Sequence, residues 1–257
     1  MRFTELLDRR FRTPEWEAWR TSINQWIRAT VNKLAGKQVA AQYGATVPRI
    51  LWQGEHLQQV PWAELPESYA IKSAWGSASG KVVVVRDGKD VLRNLPATPT
   101  DILKLSLMNW QSPLYIEECV EDEAGRVPPV DYKCMCFGSH VESIMVFDRT
   151  GDRVTCNCYT PTWEPIPTYL INKRPEGEYI EPPACLEQIV SQASQLGKAF
   201  GTFVRCDFYA TPTGPMFGEF CCNPSGCRSL HGRKVFHDWA DEHLGKVWEE
   251  TLGGERL

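Results

Sequence analysis

Apolar positions along the first 35 residues return at helical spacing. Trp16, Trp19, Ile23, Trp26, Ile27 and Val31 form one such series, and Pro14 after Thr13 supplies an N-cap followed by proline at the first helical position. The helical pattern resumes over 37–42 and stops at Gly44. A short strand is predicted over 47–52. Two β-type runs follow at 68–72 and 81–86, separated by a loop of Gly, Ser and Ala and closed by the turn Asp87-Gly88. A helix is predicted over 101–110, capped by Thr100, and a strand over 114–120 that runs into an acidic loop at 121–127. Alternation at 131–137, 141–147 and 152–159 predicts an antiparallel meander, with turns at Gly138-Ser139 and Thr150-Gly151. Residues 161–183 are Pro-rich and irregular. A helix over 185–200 ends at Gly201, a hairpin joins 203–210 to 215–222, and a last helix is expected over about 235–251. Antiparallel strands with a few helices predict an α+β fold.

Composition narrows the classes. The 257 residues are 42% hydrophobic and 23% charged, with a net charge of -4. That is an ordinary globular composition, without the basic excess of a nucleic-acid binder or a polybasic membrane tail. No apolar run approaches the ~20 residues of a membrane helix. The first residues lack an apolar signal core, so a cytoplasmic location is expected. The ten cysteines are then expected to be mostly reduced.

Four features carry candidate chemistry. Lys72 ends a strand and opens the loop containing Gly76, Ser77, Ser79 and Gly80. Backbone N–H groups of such a loop approach phosphate oxygens, although a plain hairpin with a long loop reads the same way. In the hairpin, Arg205 and Asp207 share a face and Glu219 lies roughly opposite Asp207. Two such carboxylates suit Mg²⁺, and equally an ion pair with Arg205 on a solvated sheet face. Asn223 offers an amide oxygen to the same metal. The strand at Glu117, Glu118 and Val120 offers backbone groups to a base edge, with acidic side chains beyond it. Finally, Cys134/Cys136 and Cys156/Cys158 are Cys-x-Cys pairs; four thiolates at a zinc ion or simple packing both fit the pattern, and the spacing within strands is poor for chelation.

The order of these features resembles the ATP-grasp superfamily, in particular its teichuronopeptide-biosynthesis (TupA-like) branch. The resemblance rests on the run 32–37, Gly44, Val47-Pro48, Leu65-Pro66 leading to Lys72, the strand at 116–120, Asp131-Tyr132-Lys133, Arg205-Cys206-Asp207 and Gly218-Glu219. It covers roughly residues 30–230. It implies a helical segment over 1–30, a small lobe over 31–120 and a large lobe over 121–257, clamping ATP between antiparallel sheets. Lys37 and Lys72 are implied as nucleotide lysines, and the loop from Gly76 to Gly80 as a lid. Glu117, Glu118 and Val120 are implied around adenine, and Glu123 at the ribose. Asp207 and Glu219 are implied as Mg²⁺ ligands, with Arg205 and Lys133 acting on the transferred phosphoryl group. The position two residues after the metal glutamate, ordinarily Asn, is Cys221, so Asn223 is expected to substitute. The implied reaction is ligation of a carboxylate donor to an amine acceptor through an acyl phosphate. A kinase on the same fold and a non-catalytic nucleotide-binding module are the alternatives. The short N-terminal part leaves room for a homodimer or a partner subunit completing the acceptor site.

Overall fold

A computed structural model describes residues 1–18, 22–75, 82–106, 113–149, 151, 153–171, 174–224 and 234–253. The implied lid residues Gly76, Ser77, Ser79 and Gly80 lie outside them.

The elements run α1 (Phe3–Phe11), α2 (Pro14–Glu17), α3 (Gln25–Val31), α4 (Lys33–Gln42), β1 (Ile50–Gly54), β2 (Tyr69–Ser73), β3 (Val82–Arg86), β4 (Lys89–Asp90), β5 (Leu95–Pro96), α5 (Pro99–Ser106) and β6 (Leu114–Glu118). Then come β7 (Asp131–Phe137), β8 (His140–Asp148), β9 (Thr155–Tyr159), β10 (Pro165–Ile166), α6 (Leu186–Phe200), β11 (Phe203–Thr211), β12 (Gly214–Cys221) and α7 (Asp238–Leu252). The strands make two six-stranded sheets, ordered β1-β6-β2-β3-β4-β5 and β10-β9-β8-β7-β11-β12, with antiparallel pairing throughout. The α+β reading holds.

Alternation along the strands decides what each sheet face meets. In the first sheet Tyr69, Ile71, Val83, Val85, Leu114 and Ile116 pack into a core with Leu57, Ala97 and Ile102. Their neighbours Ala70, Lys72, Val82, Val84, Tyr115 and Glu117 face a cavity instead. In the second sheet Cys134, Cys136, Val204 and Cys206 pack beneath α6, where they join Ile27, Val39 and Ala40 of α3 and α4. The opposite face buries Met135, Phe137, Met145 and Phe203 against α1 and α7. Phe3 anchors that layer, edge-on to Phe203 at 4.7 Å and to Phe236 at 5.6 Å. Gly245 lets α1 cross α7 closely, since a Cβ there would lie 2.0 Å from the Met1 carbonyl oxygen.

Several expectations change. The single helical stretch over 1–35 is divided, because Asn24 and Asn32 each cap a new helix, accepting from the N–H of Trp26 at 2.9 Å and of Ala35 at 3.0 Å. Ile23, placed on the apolar stripe, is 96% exposed. The cap of α5 is Thr98 rather than Thr100: Asp101 N–H donates to Thr98 Oγ1 at 3.3 Å, and Thr98 N–H donates to the Asp101 carboxylate at 3.2 Å. The Cys-x-Cys pairs fall in different cores, Cys134/Cys136 under α6 and Cys156/Cys158 under α7, so four thiolates do not converge and the zinc reading fails. Among the described residues no helix is long and apolar enough to cross a membrane.

A candidate nucleotide and metal site between two sheets

The inward faces of the two sheets enclose a cavity of about 500 Å³. The first sheet contributes an apolar patch, Ala70, Val82 and Val84, beside the strand end that carries Glu118 and Val120. Next to it Lys72 Nζ donates to Glu117 Oε1 at 2.5 Å, and Lys37 Nζ pairs with Glu117 Oε2 at 3.1 Å. Burial alone raises a carboxyl pKa, yet the two lysines hold Glu117 below its ordinary value. Burial lowers the Lys72 pKa, but Glu117 more than reverses this and leaves it well above normal. Tyr115 Oη, buried in the same wall, has no hydrogen-bond partner among the described residues.

The second sheet supplies the carboxylates. Asp207 and Glu219 pair directly across β11 and β12. The register slips immediately beyond them, with Phe208 opposite Phe217, so Gly218 is the extra residue of a bulge. Its freed carbonyl accepts from Lys37 Nζ at 3.1 Å. Arg205 grips Asp207 through two bonds, Nε to Oδ1 at 2.6 Å and Nη2 to Oδ2 at 2.7 Å. Lys133 Nζ donates to the same Oδ2 at 2.6 Å. Lys33 Nζ lies 3.2 Å from Glu219 Oε2. Burial raises the Glu219 pKa, but Lys33, Lys133 and Arg205 outweigh it and bring it down to about 2.

The structure brings Lys72, Glu117, Glu118, Val120, Lys133, Asp207 and Glu219 to one cavity wall. Other expected residues sit elsewhere. Lys37 is 3% exposed and absent from the wall, because it is spent between Glu117 and the Gly218 carbonyl. Lys33, one helical turn earlier, is the α4 lysine that reaches the cavity. Glu123 accepts from Ala184 N–H at 3.0 Å and donates its own N–H to Ala210 O at 2.9 Å, which ties its loop to β11 and the approach to α6, and it does not line the cavity. Arg205 holds Asp207 but does not line the wall, and neither Asn223 nor Cys221 lines it. Burial pushes the Cys221 thiol up to about 11.

Sequence reasoning missed Lys33, Tyr115, Asp131, Arg149, Arg174 and Tyr209 as wall residues. Three carried a signal. Asp131 alternates with Lys133, Tyr209 with Asp207 and Tyr115 with Glu117, so each shares a face with a residue already singled out.

Two carboxylates paired with cations and facing a cavity fit Mg²⁺, which takes few protein oxygens and completes its shell with water and phosphate. Among the described residues no third acidic, His or Cys ligand joins them.

Solved structures share this architecture. A D-alanine–D-alanine ligase from Bacillus anthracis superposes with a TM-score of 0.58 at 16% identity, covering 94% of this chain and 73% of the ligase. The same ligase complexed with ATP gives 0.54 at 16% identity, covering 89% and 68%. An ADP complex of PurK, N5-carboxyaminoimidazole ribonucleotide synthetase, gives 0.53 at 15% identity, and the chain spans 79% of itself but 47% of that protein. These likenesses define an ATP-grasp fold. The chain belongs to the TupA-like ATP-grasp family, whose sequence profile matches residues 20–248. No curated protein sequence matches it significantly.

Proposed function

We propose that the chain is an ATP- and Mg²⁺-dependent ligase that joins a carboxylate to an amine through an acyl phosphate. The observation that carries this reading is the set of exchangeable pairs at Asp207 and Glu219. Lys33, Lys133 and Arg205 pair with the two carboxylates. A polyphosphate entering the cavity offers Lys33 and Lys133 new partners and frees the carboxylates for a cation. Family membership and the fold shared with ADP- and ATP-bound proteins support the same reading.

In this scheme Ala70, Val82, Val84 and Val120 pack against the adenine faces, and Glu118 presents backbone groups to its edge. Lys72 and Lys33 hold the phosphates. Mg²⁺ at Asp207 and Glu219 would supply charge neutralisation on the phosphate oxygens. Arg205 keeps Asp207 aimed through its two hydrogen bonds. A substrate carboxylate oxygen attacks the γ-phosphorus, the bond to the β-phosphate oxygen breaks, and ADP leaves. The amine nitrogen then attacks the acyl carbon, phosphate departs with the electron pair of the C–O bond, and the amine proton passes to solvent. Lys133, beside Asp207, is placed to balance charge on the phosphoryl group in flight.

The test is an ADP-release screen across paired panels of carboxylates and amines. ADP release that requires Mg²⁺ and both partners is expected. Release that needs no amine and leaves phosphate on the acceptor would establish a kinase instead.

A further inference from the structure

The cavity wall carries six cations, and one of them is held differently from the other five. Five cations in its wall already have carboxylate partners: Lys33, Lys72, Arg93, Lys133 and Arg149. Arg174 also lines it and has no carboxylate within ion-pair distance among the described residues. Its guanidinium instead rests over the Phe147 ring, 4.8 Å from the centroid. Lys133 Nζ lies 5.4 Å from the same centroid, so one buried ring holds a cation of the reaction centre and a second cation beyond it. Burial and the neighbouring charges of Arg149 and Arg205 depress the Arg174 pKa, with Asp131 opposing them in part. Arginine stays protonated under such pressure, so the guanidinium remains a cation that an anion can pair with.

The position separates that anion from the nucleotide. Phe147 is on β8, two strands from Asp207 in the order β8-β7-β11, which is ~10 Å at ordinary strand spacing.

We propose that Arg174, beside Arg149, receives a carboxylate of the ligase's non-nucleotide substrate, remote from the carboxylate that reacts. The substrate is then an acid with at least two anionic groups, longer than a single amino acid. This rests on the ligase reading above and names the substrate class for that site. A planar guanidinium fork matches a carboxylate in two parallel bonds, and the aromatic floor keeps the fork oriented.

The test is calorimetric titration of the full chain in the presence of Mg²⁺ and a non-hydrolysable ATP analogue. The probes are peptides of two to four glutamates, the corresponding glutamine peptide amides, and inorganic phosphate. The wild type is expected to bind the acidic peptides and not the amides. Arg174→Ala is expected to weaken the acidic peptides about tenfold or more, and Arg174→Lys less, while the affinity for the analogue stays unchanged. Three results overturn the proposal: analogue binding without any acidic-peptide binding, an Arg174→Ala protein that holds the peptides as the wild type does, or a loss of analogue affinity equal to the loss of peptide affinity. Tighter binding of inorganic phosphate than of the peptides overturns the carboxylate class. Failure of the analogue itself overturns the nucleotide reading and this inference with it, and shows in that titration alone.

Discussion

One face of the second sheet is charged at one end and aromatic at the other. On β7, Asp131 and Lys133 face the cavity, while Met135 and Phe137, on the same side of the same strand, face a core. On β11, Asp207 and Tyr209 line the cavity and Phe203 packs with Phe3 and Trp248. Backbone and pleat are the same in both halves. The cover differs: α1 and α7 seal the aromatic half, and the first sheet roofs the charged half across a gap. Burying each large apolar side chain stabilises the fold by about 1.5–3 kcal/mol. The ion pairs of the charged half roughly break even against desolvation, so their partners can be exchanged at little cost. Stability is therefore concentrated at one end of the face and chemistry at the other. Arg10 joins the two, since its guanidinium donates from α1 to Phe203 O at 2.7 Å and to Cys222 O at 2.6 Å, clamping the strands that carry Asp207 and Glu219.

The sharpest way to break this division is to remove each half separately. Asp207→Asn with Glu219→Gln should lower Mg²⁺-dependent ADP release by at least ~10³-fold. Steady-state kinetics checks this, and turnover near the wild-type rate would remove the metal role. Trp248→Ala should cost about 3–5 kcal/mol of unfolding free energy. Its folded fraction should bind ATP as the wild type does. A Trp248→Ala protein with normal stability and poor ATP affinity would show that the halves are not separable. Within the charged half, Lys33→Met should weaken ATP binding by about tenfold, measured by titration with a fluorescent analogue. An unchanged affinity would leave Lys33 as a partner of Glu219 and nothing more.

The elements that set this face were partly legible in the sequence. The pairing of Asp207 with Glu219 followed from strand period and a short turn, and α6 from its apolar series and Gly201, which adopts a left-handed φ of 80°. Both depend on neighbours close in the chain. The aromatic half depends on α1 and α7, from opposite ends of the sequence, and no local pattern states that they meet. That Lys33 rather than Lys37 lines the cavity was hidden for a related reason. They lie one helical turn apart on the same side of α4, and only the position of Glu117 on β6 decides which is consumed in the core. Glu123, implied at the ribose, instead has its carboxylate at the approach to α6, a contact 61 residues away that no local pattern states.

The smallest expected effect falls on the border between the halves, at Phe147. Its ring is 2% exposed and belongs to the aromatic core, yet Lys133 and Arg174 both rest on it. Phe147→Leu keeps most of the apolar volume and removes the ring face. Its stability cost should stay under about 1.5 kcal/mol, as for other volume-conserving exchanges. The acidic-peptide affinity should fall by about two- to fivefold, the size of a partly exposed cation–π contact, with ATP affinity less affected because Lys133 retains Asp207. Chemical denaturation and peptide titration on the same preparation separate the two effects. A large stability loss with unchanged peptide affinity would assign Phe147 to the core alone, and the border would then run between Phe147 and Arg174 rather than through the ring.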